Sequence, residues 1–190
     1  MFTAIRFTIL ILIIGGILYP LAMTGLGQFL FPHQANGSLV KQPTGQVIGS
    51  SLIGQAFTKP EYFHPRPAVN GYDASNSGGS NLGATSKKLI DRVSQDAQIY
   101  KKDNQIKQVT PVDAVTASAS NLDPHISLAN ALLQVPRVAN ARQMNSESVK
   151  RLVGHIAEKH LLAEASYLNV LELNLALDQL QLRSGGIHAH

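Results

Sequence analysis

The chain has no cysteine, no tryptophan and little charge: Asp, Glu, Lys and Arg make up 15% of its 190 residues. Without thiols it can form no disulfide, no thiolate-ligated zinc site and no cysteine nucleophile. Such a chain suits an oxidising compartment, where unwanted disulfides are a hazard. Sixteen basic residues against twelve acidic ones leave a net charge of +4, and the basic residues are scattered. The doublets Lys87-Lys88 and Lys101-Lys102 have few aromatics beside them and suit solvated helix ends. A nucleic-acid surface needs a denser basic patch, so no nucleic-acid partner is expected. There is no internal repeat, no Ser-His-Asp arrangement and no pair of catalytic carboxylates. The chain does not look like an enzyme acting alone.

Charge is missing altogether from Phe7 to Phe31, 25 residues rich in Ile, Leu and Phe. A helix needs about 20 such residues to cross a hydrocarbon core about 30 Å thick. A secretory signal has an apolar stretch of only about 7–15 residues, and Phe29-Leu30-Phe31 prolongs the run past the small residues Gly25-Leu26-Gly27. An uncleaved transmembrane helix is therefore expected over 7–31. Pro20 cannot donate its backbone hydrogen bond, which predicts a local kink. Gly15, Gly16, Ala22, Gly25 and Gly27 allow close approach of a partner helix, or simply reflect the usual composition of membrane spans. Arg6 precedes the span and Lys41 is the first basic residue after it, so the positive-inside tendency puts the N-terminus in the cytoplasm.

The expected organisation is a single N-terminal transmembrane α-helix plus one extracytoplasmic α+β domain. Residues 1–6 form the cytoplasmic N-terminus, 7–31 the span, 32–44 a juxtamembrane linker, 45–182 the domain and 183–190 a flexible tail. A short strand is expected within Gln46–Ile53. The long loop from Phe57 to Ala84, punctuated by Pro60, Pro65 and Pro67, is expected to be functional or disordered, and its Tyr62, Phe63 and Tyr72 argue that it packs against something. Thr85 or Ser86 can cap a helix carrying Leu89, Val93, Ala97 and Tyr100 on one face. Val112–Ala117 suits a strand. Ser127 can cap a helix through Leu128–Leu133, ahead of a break at Pro136. Ser146 opens another, with Val149, Leu152, Val153 and Ile156 at i, i+3, i+4, i+7. Leu171, Leu173, Leu175 and Leu177 alternate with Glu172, Asn174, Ala176 and Asp178, which predicts a strand with one buried face.

Three motifs bear on chemistry. Ser77, Gly78, Gly79, Ser80, Asn81, Leu82 and Gly83 form a glycine-rich turn of the kind that can aim backbone N–H groups at an anion. Ala84 stands where a phosphate-binding loop needs lysine, so a structural turn is the stronger reading. Asp123-Pro124-His125 favours a turn in which the carboxylate bonds nearby backbone, over a metal site or an acid–base pair. His155 and His160 are five apart, off the i, i+4 spacing of zinc ligands, and His188 and His190 sit in the Gly-rich tail. No metal site is expected. Arg137 and Arg142 can make bidentate contacts, clamping the domain internally or docking it on a partner, with the clamp favoured.

The run Val115–Ser127, crowded with Thr116, Ser118 and Ser120 ahead of Asp123-Pro124-His125, resembles the signature segment of the C subunit of Kdp-type potassium-transporting ATPases. Further segments resemble the same subunit in the same order: Ser51–Phe57, Tyr62–Pro67, Ser77–Gly83, Pro111-Val112-Asp113, Gln134–Arg142 and Asn169–Asp178. The resemblance covers about residues 5 to 178. Ala119 and Asn121 stand where the family typically has glycines, Ala84 replaces a usual proline, and the usual Gly-Glu-Pro is missing around Glu164–Ser166. Asn121 tolerates a left-handed backbone.

The resemblance implies a non-catalytic accessory subunit of a bacterial inner-membrane pump, with the main domain periplasmic or extracellular. Its implied partners are a channel-like potassium-binding subunit, a P-type ATPase subunit, a small membrane subunit and membrane lipid. Potassium is the transported ion, and no cofactor is bound tightly. The family also implies a catalytic chaperone that raises the ATP affinity of the ATPase subunit, with Gln134 implicated in nucleotide binding. The alternative is a membrane-anchored extracytoplasmic module that captures a ligand in the Tyr62–Gly83 region.

Overall fold

The computed structural model describes residues 1–42, 44–158 and 167–185, in two compact units, Met1–Ser50 and Ser51–His190. His160, the Glu164–Ser166 region, His188 and His190 lie outside the described residues.

In the first unit a helix, α1 (Phe2–Leu30), runs 29 residues with none of its most apolar window buried. It begins earlier than the uncharged run, taking in Arg6. At about 1.5 Å per residue it is long enough to cross a bilayer. The disturbance expected at Pro20 takes the form of a π-helical turn over Ile14–Leu18. Proline's missing N–H and its ring conflict with the carbonyl one turn back, and widening that turn relieves the conflict.

Part of the expected linker is structured. Pro32 opens a one-turn helix, α2 (Pro32–Ala35), and Gly37, at φ +84, reverses the chain. Strand β1 (Leu39–Lys41) then pairs antiparallel with β2 (Val47–Ser50). Asn36, Gly37 and Ser38 form the turn between α2 and β1.

The second unit opens with a long irregular stretch to Ser86, followed by α3 (Lys87–Asn104). Ser86 sits at its N-cap position without a side-chain cap bond. Val112–Ala117 is not a strand but a 3-10 turn over Val112–Ala114 leading into loop. Asp113 there accepts hydrogen bonds from the Ser127 N–H (2.8 Å), the Ser127 hydroxyl (2.9 Å) and Asn130 Nδ2 (2.9 Å), so the segment is tied to a helix start instead of a sheet edge.

Two short strands pair antiparallel, β3 (His125–Ser127) and β4 (Tyr167–Asn169), with Ile126 opposite Leu168. Each runs straight into a helix: β3 into α4 (Leu128–Arg142), β4 into α6 (Val170–Gly185). Ser127 caps α4, its hydroxyl accepting from the Asn130 N–H at 3.1 Å. Pro136 does not break α4. Its ring lies on the exposed side, while buried Val135, Val138 and Ala139 hold the helix on both sides of it. Helix α5 (Ser146–Glu158) follows the expected spacing.

The predicted strand over 171–177 is helical. Buried Val170, Leu173, Asn174 and Leu177 fall at i, i+3, i+4, i+7, the helical spacing that the leucine alternation concealed. The core lies between the β3–β4 ribbon and α4, α5 and α6. Ile126, Val138, Val149, Val153, Leu168, Leu173 and Leu177 are fully buried there, and Phe63 of the irregular stretch plugs into the same cluster.

Candidate functional site: a lock of side chains on an irregular loop

Residues 51–72 form no ladder of their own, so their backbone groups need partners elsewhere. Helices α4 and α6 and the 118–123 loop supply them from side chains. Asn174 of α6 accepts from the Phe63 N–H (2.8 Å) and donates to the Phe63 carbonyl (3.0 Å). Gln134 of α4 does the same for the next residue: its Oε1 accepts from the His64 N–H (2.7 Å) and its Nε2 donates to the His64 carbonyl (3.1 Å). Asn169 Nδ2 donates to the Ser51 carbonyl, and Asn121 Oδ1 accepts from the Val69 N–H.

Both arginines extend the lock. Arg137 Nη1 donates to the carbonyls of Pro60 and Tyr62, its Nε to Asn104 Oδ1 and its Nη2 to Gln134 Oε1. Arg142 Nε donates to the Glu61 carbonyl (2.6 Å) and Nη1 to Gln181 Oε1. Its Nη2 lies 2.7 Å from Asp178 Oδ1, and the guanidinium covers the Tyr62 ring at 4.8 Å. The two side chains sit on different faces of α4 yet grip the backbone of adjacent loop residues.

Gln134 is completely buried and its carboxamide is engaged on both atoms, Nε2 also donating to Asn130 Oδ1 at 2.8 Å. Beside it, burial and the Arg137 charge hold the His64 imidazole below its ordinary value, so it is neutral at neutral pH. Burial likewise raises Tyr72 and Tyr100, whose hydroxyls donate to the Arg66 carbonyl and to Asn130 Oδ1 respectively.

Asp123 and His125 form a second, smaller knot. The Asp123 carboxylate accepts from the His125 N–H (3.0 Å) and lies 3.2 Å from His125 Nδ1, while Arg66 Nη1 bonds its other oxygen at 2.8 Å. The hydrogen bond from the His125 side chain leads in pushing its carboxyl down to about 2, with Arg66 adding to the effect. His125 faces solvent, and among the described residues no group of three or more His, Asp or Glu converges as a metal site.

The glycine-rich run packs on the 118–120 segment. The Gly78 N–H donates to the Ser120 carbonyl (3.2 Å), which also accepts from the Ser77 hydroxyl. A Cβ on Gly79 would stand 3.0 Å from the Ala119 carbonyl oxygen. Asn81 adopts φ +52, and the Gly83 carbonyl accepts from the Ser86 N–H; Ser80 is half-buried. With Ala84 in place of a lysine and Gln134 sealed in the interior, these residues do not fit a nucleotide.

A cavity of about 850 Å³ opens between the end of α3, α4 and the locked loop, lined by His64, Asp103, Asn104, Gln108, Arg137 and Asn140 among others. Asn121 stands out in the sequence for its backbone, which is indeed left-handed at φ +59, but its carboxamide and those of Asn130, Asn169 and Asn174 escaped the sequence reading. For the last three the one signal was position: uncharged polar residues set among Ala, Leu and Val.

One helix long and apolar enough to cross a bilayer, followed by an α+β body, defines the class: a single candidate span with one folded domain. Comparison with known proteins narrows the class. The family described as K+-transporting ATPase, c chain, KdpC, matches residues 1–179. The potassium-transporting ATPase KdpC subunit of Mycobacterium tuberculosis is 51% identical over 184 residues, covering 93% of this chain and 96% of that protein. The KdpC subunits of Rhodopseudomonas palustris (50% over 181 residues, 87% and 89% covered) and Koribacter versatilis (47% over 184 residues, 94% and 94% covered) are similar to the same extent. The chain belongs to the KdpC family.

Proposed function

We propose that this chain is the non-catalytic accessory subunit of an ATP-driven potassium uptake pump, holding a channel-like subunit and a P-type ATPase subunit in one assembly with a small membrane subunit. The observation that carries this reading is a family match running through both the apolar helix and the folded body. With Arg6 in the first turns of the helix, ahead of its uncharged run, and Lys41 after it, the N-terminus is cytoplasmic and the body faces outward. Potassium is the cargo of the assembly and α1 is the anchor in the inner membrane.

The chaperone role belongs to the same proposal, in a restricted form. The chain raises the ATP affinity of the ATPase subunit by favouring one conformational state of the assembly, a coupling between distant sites, and not by touching ATP. The buried, doubly bonded Gln134 supports this restriction.

The test is a detergent pull-down of the C-terminally tagged chain from potassium-starved cells. Recovery of both large subunits with potassium-stimulated ATP hydrolysis supports the accessory role; recovery of the chain alone removes it. Equilibrium dialysis of the purified chain with labelled ATP tests the restriction, and saturable binding would overturn it. The cavity beside Thr58–His64 favours a second reading, a ligand-capturing module. An isolated chain that binds a small ligand without the other subunits would put that reading first.

A further inference from the structure

The hairpin after the span is tied to the end of the helix. Asn36 Nδ2 donates to Gln28 Oε1 of α1 (3.1 Å) and to the Pro32 carbonyl (2.6 Å). The Ser38 N–H donates to the His33 carbonyl (3.0 Å), and the Ser50 hydroxyl at the end of β2 donates to the Gly37 carbonyl (2.7 Å). The β1–β2 ladder is therefore fastened one turn beyond the helix, within the same compact unit.

Its height follows from the span. Twenty-nine residues of helix rise about 43 Å at ~1.5 Å per residue. A hydrocarbon core of about 30 Å, or ~40–45 Å with headgroups, puts Leu30 at headgroup level. The ladder exposes two apolar side chains beside a cation. Alternation along β1 turns Leu39 and Lys41 to the same side; the register shifts between Val40 and Lys41, and past that shift Val47 is the partner of Lys41. Leu39 and Val47 are 38% and 47% exposed, and Phe29 and Phe31 at the end of the helix more so.

We propose that the β1–β2 hairpin is an interfacial collar lying on the lipid surface, with Leu39 and Val47 in the headgroup–acyl boundary and Lys41 against lipid phosphate. The connection to α1 selects lipid as the occupant: Leu39 follows Leu30 by nine residues, Asn36 bonds back to Gln28 of the helix, and a lysine among the exposed apolar side chains matches anionic headgroups. The inference rests on reading α1 as a membrane span.

Because the chain has no tryptophan, single-tryptophan variants of the full chain report their own depth. Phe29→Trp, Leu39→Trp, Val47→Trp and, in the folded body, Val112→Trp are placed in nanodiscs of phosphatidylcholine and phosphatidylglycerol, with and without brominated acyl chains. Phe29→Trp should be strongly quenched and Val112→Trp unaffected. Leu39→Trp and Val47→Trp should each lose about half their emission, since an interfacial apolar face sits about 5–10 Å into the boundary. Adding Lys41→Glu should weaken the quenching at position 47 in anionic discs. If Phe29→Trp is quenched while both hairpin positions behave like Val112→Trp, the collar is wrong and another protein covers that face. If Phe29→Trp is itself unquenched, the span reading fails and takes the collar with it. Two independent hairpin positions keep the test valid should one substitution disturb the ladder.

Discussion

Gln134 and His64 exchange two hydrogen bonds, side-chain amide to backbone peptide, across seventy residues of sequence. Asn174 closes the same ring on Phe63, the residue before. Two carboxamides from two helices thus replace the neighbouring strand that this loop lacks. The loop is held rigid without being regular, which suits a surface that must present a constant shape.

Truncating either clamp should be severe. Gln134→Ala leaves the His64 N–H and carbonyl unpaired in the interior, and a buried orphan group costs about 1–3 kcal/mol. A loss of roughly 2–4 kcal/mol is expected for Gln134→Ala and for Asn174→Ala in urea unfolding of the chain. Once one clamp is lost the loop has partly detached, so the double variant should lose less than the sum, by about 0.5–3 kcal/mol. Strict additivity would mean that the two amides do not hold a common element.

Arg142 offers a different test, because its value lies in geometry more than charge. Its side chain is 4% exposed and serves Glu61, Gln181, Asp178 and the Tyr62 ring together, while Asp178 is 41% exposed. The ion pair to that half-exposed carboxylate is therefore worth only about 0–1 kcal/mol. Arg142→Lys keeps the charge but loses the planar fork. It should destabilise nearly as much as Arg142→Ala, by about 2–3 kcal/mol, and Asp178→Asn should change the unfolding midpoint little. Full rescue by lysine would show that charge alone mattered.

The glycine-rich run should sort by contact, not by motif. Nothing lies within 4 Å of a Cβ on Gly78 or Gly83, whereas one on Gly79 meets the Ala119 carbonyl at 3.0 Å and one on Gly54 meets the Asp123 carbonyl at 2.9 Å. Gly79→Ala and Gly54→Ala must push backbone aside and should cost about 1–3 kcal/mol in thermal or urea unfolding. Gly78→Ala and Gly83→Ala should stay within about 0.5 kcal/mol. An anion-binding turn would give a different pattern: equal sensitivity at Gly78, and stabilisation by added phosphate.

The long apolar helix was legible because 25 uncharged residues rich in Ile, Leu and Phe leave little else for the backbone to form. Helix α5 was legible because Val149, Val153 and Ile156 fall on one buried face with charged residues opposite. Helix α6 was not, since it buries Leu171 as well as Leu173 and Leu177, so its apolar positions fall on a two-residue beat as well as a helical one. Arg137 and Arg142 could be picked out as clamps, but Asn174 could not. The value of a buried carboxamide depends on which backbone arrives opposite it, here from 111 residues away, and no local pattern records that.

Acid should loosen the body in two separable stages. The His64 imidazole is held below its ordinary value of 6.5, so the folded state resists the proton that the unfolded chain accepts. Its contribution is complete above 6.5 and is lost as pH falls from there through the lowered folded value. The Asp123 carboxyl is held at about 2, below its ordinary 3.8, so its contribution is complete above 3.8 and disappears as pH falls towards 2. His64→Gln should flatten the first loss relative to the parent chain as pH falls below 6.5. Asp123→Asn should leave that stage intact and flatten the decline below about pH 4, because the amide does not titrate; its one oxygen can accept from His125 or from Arg66 but not from both, so the midpoint should also drop at every pH. Urea midpoints measured across the range decide it. If Asp123→Asn tracks the parent below pH 4, the knot with His125 and Arg66 is not holding the carboxylate ionised in solution, and the acid sensitivity must come from other carboxylates.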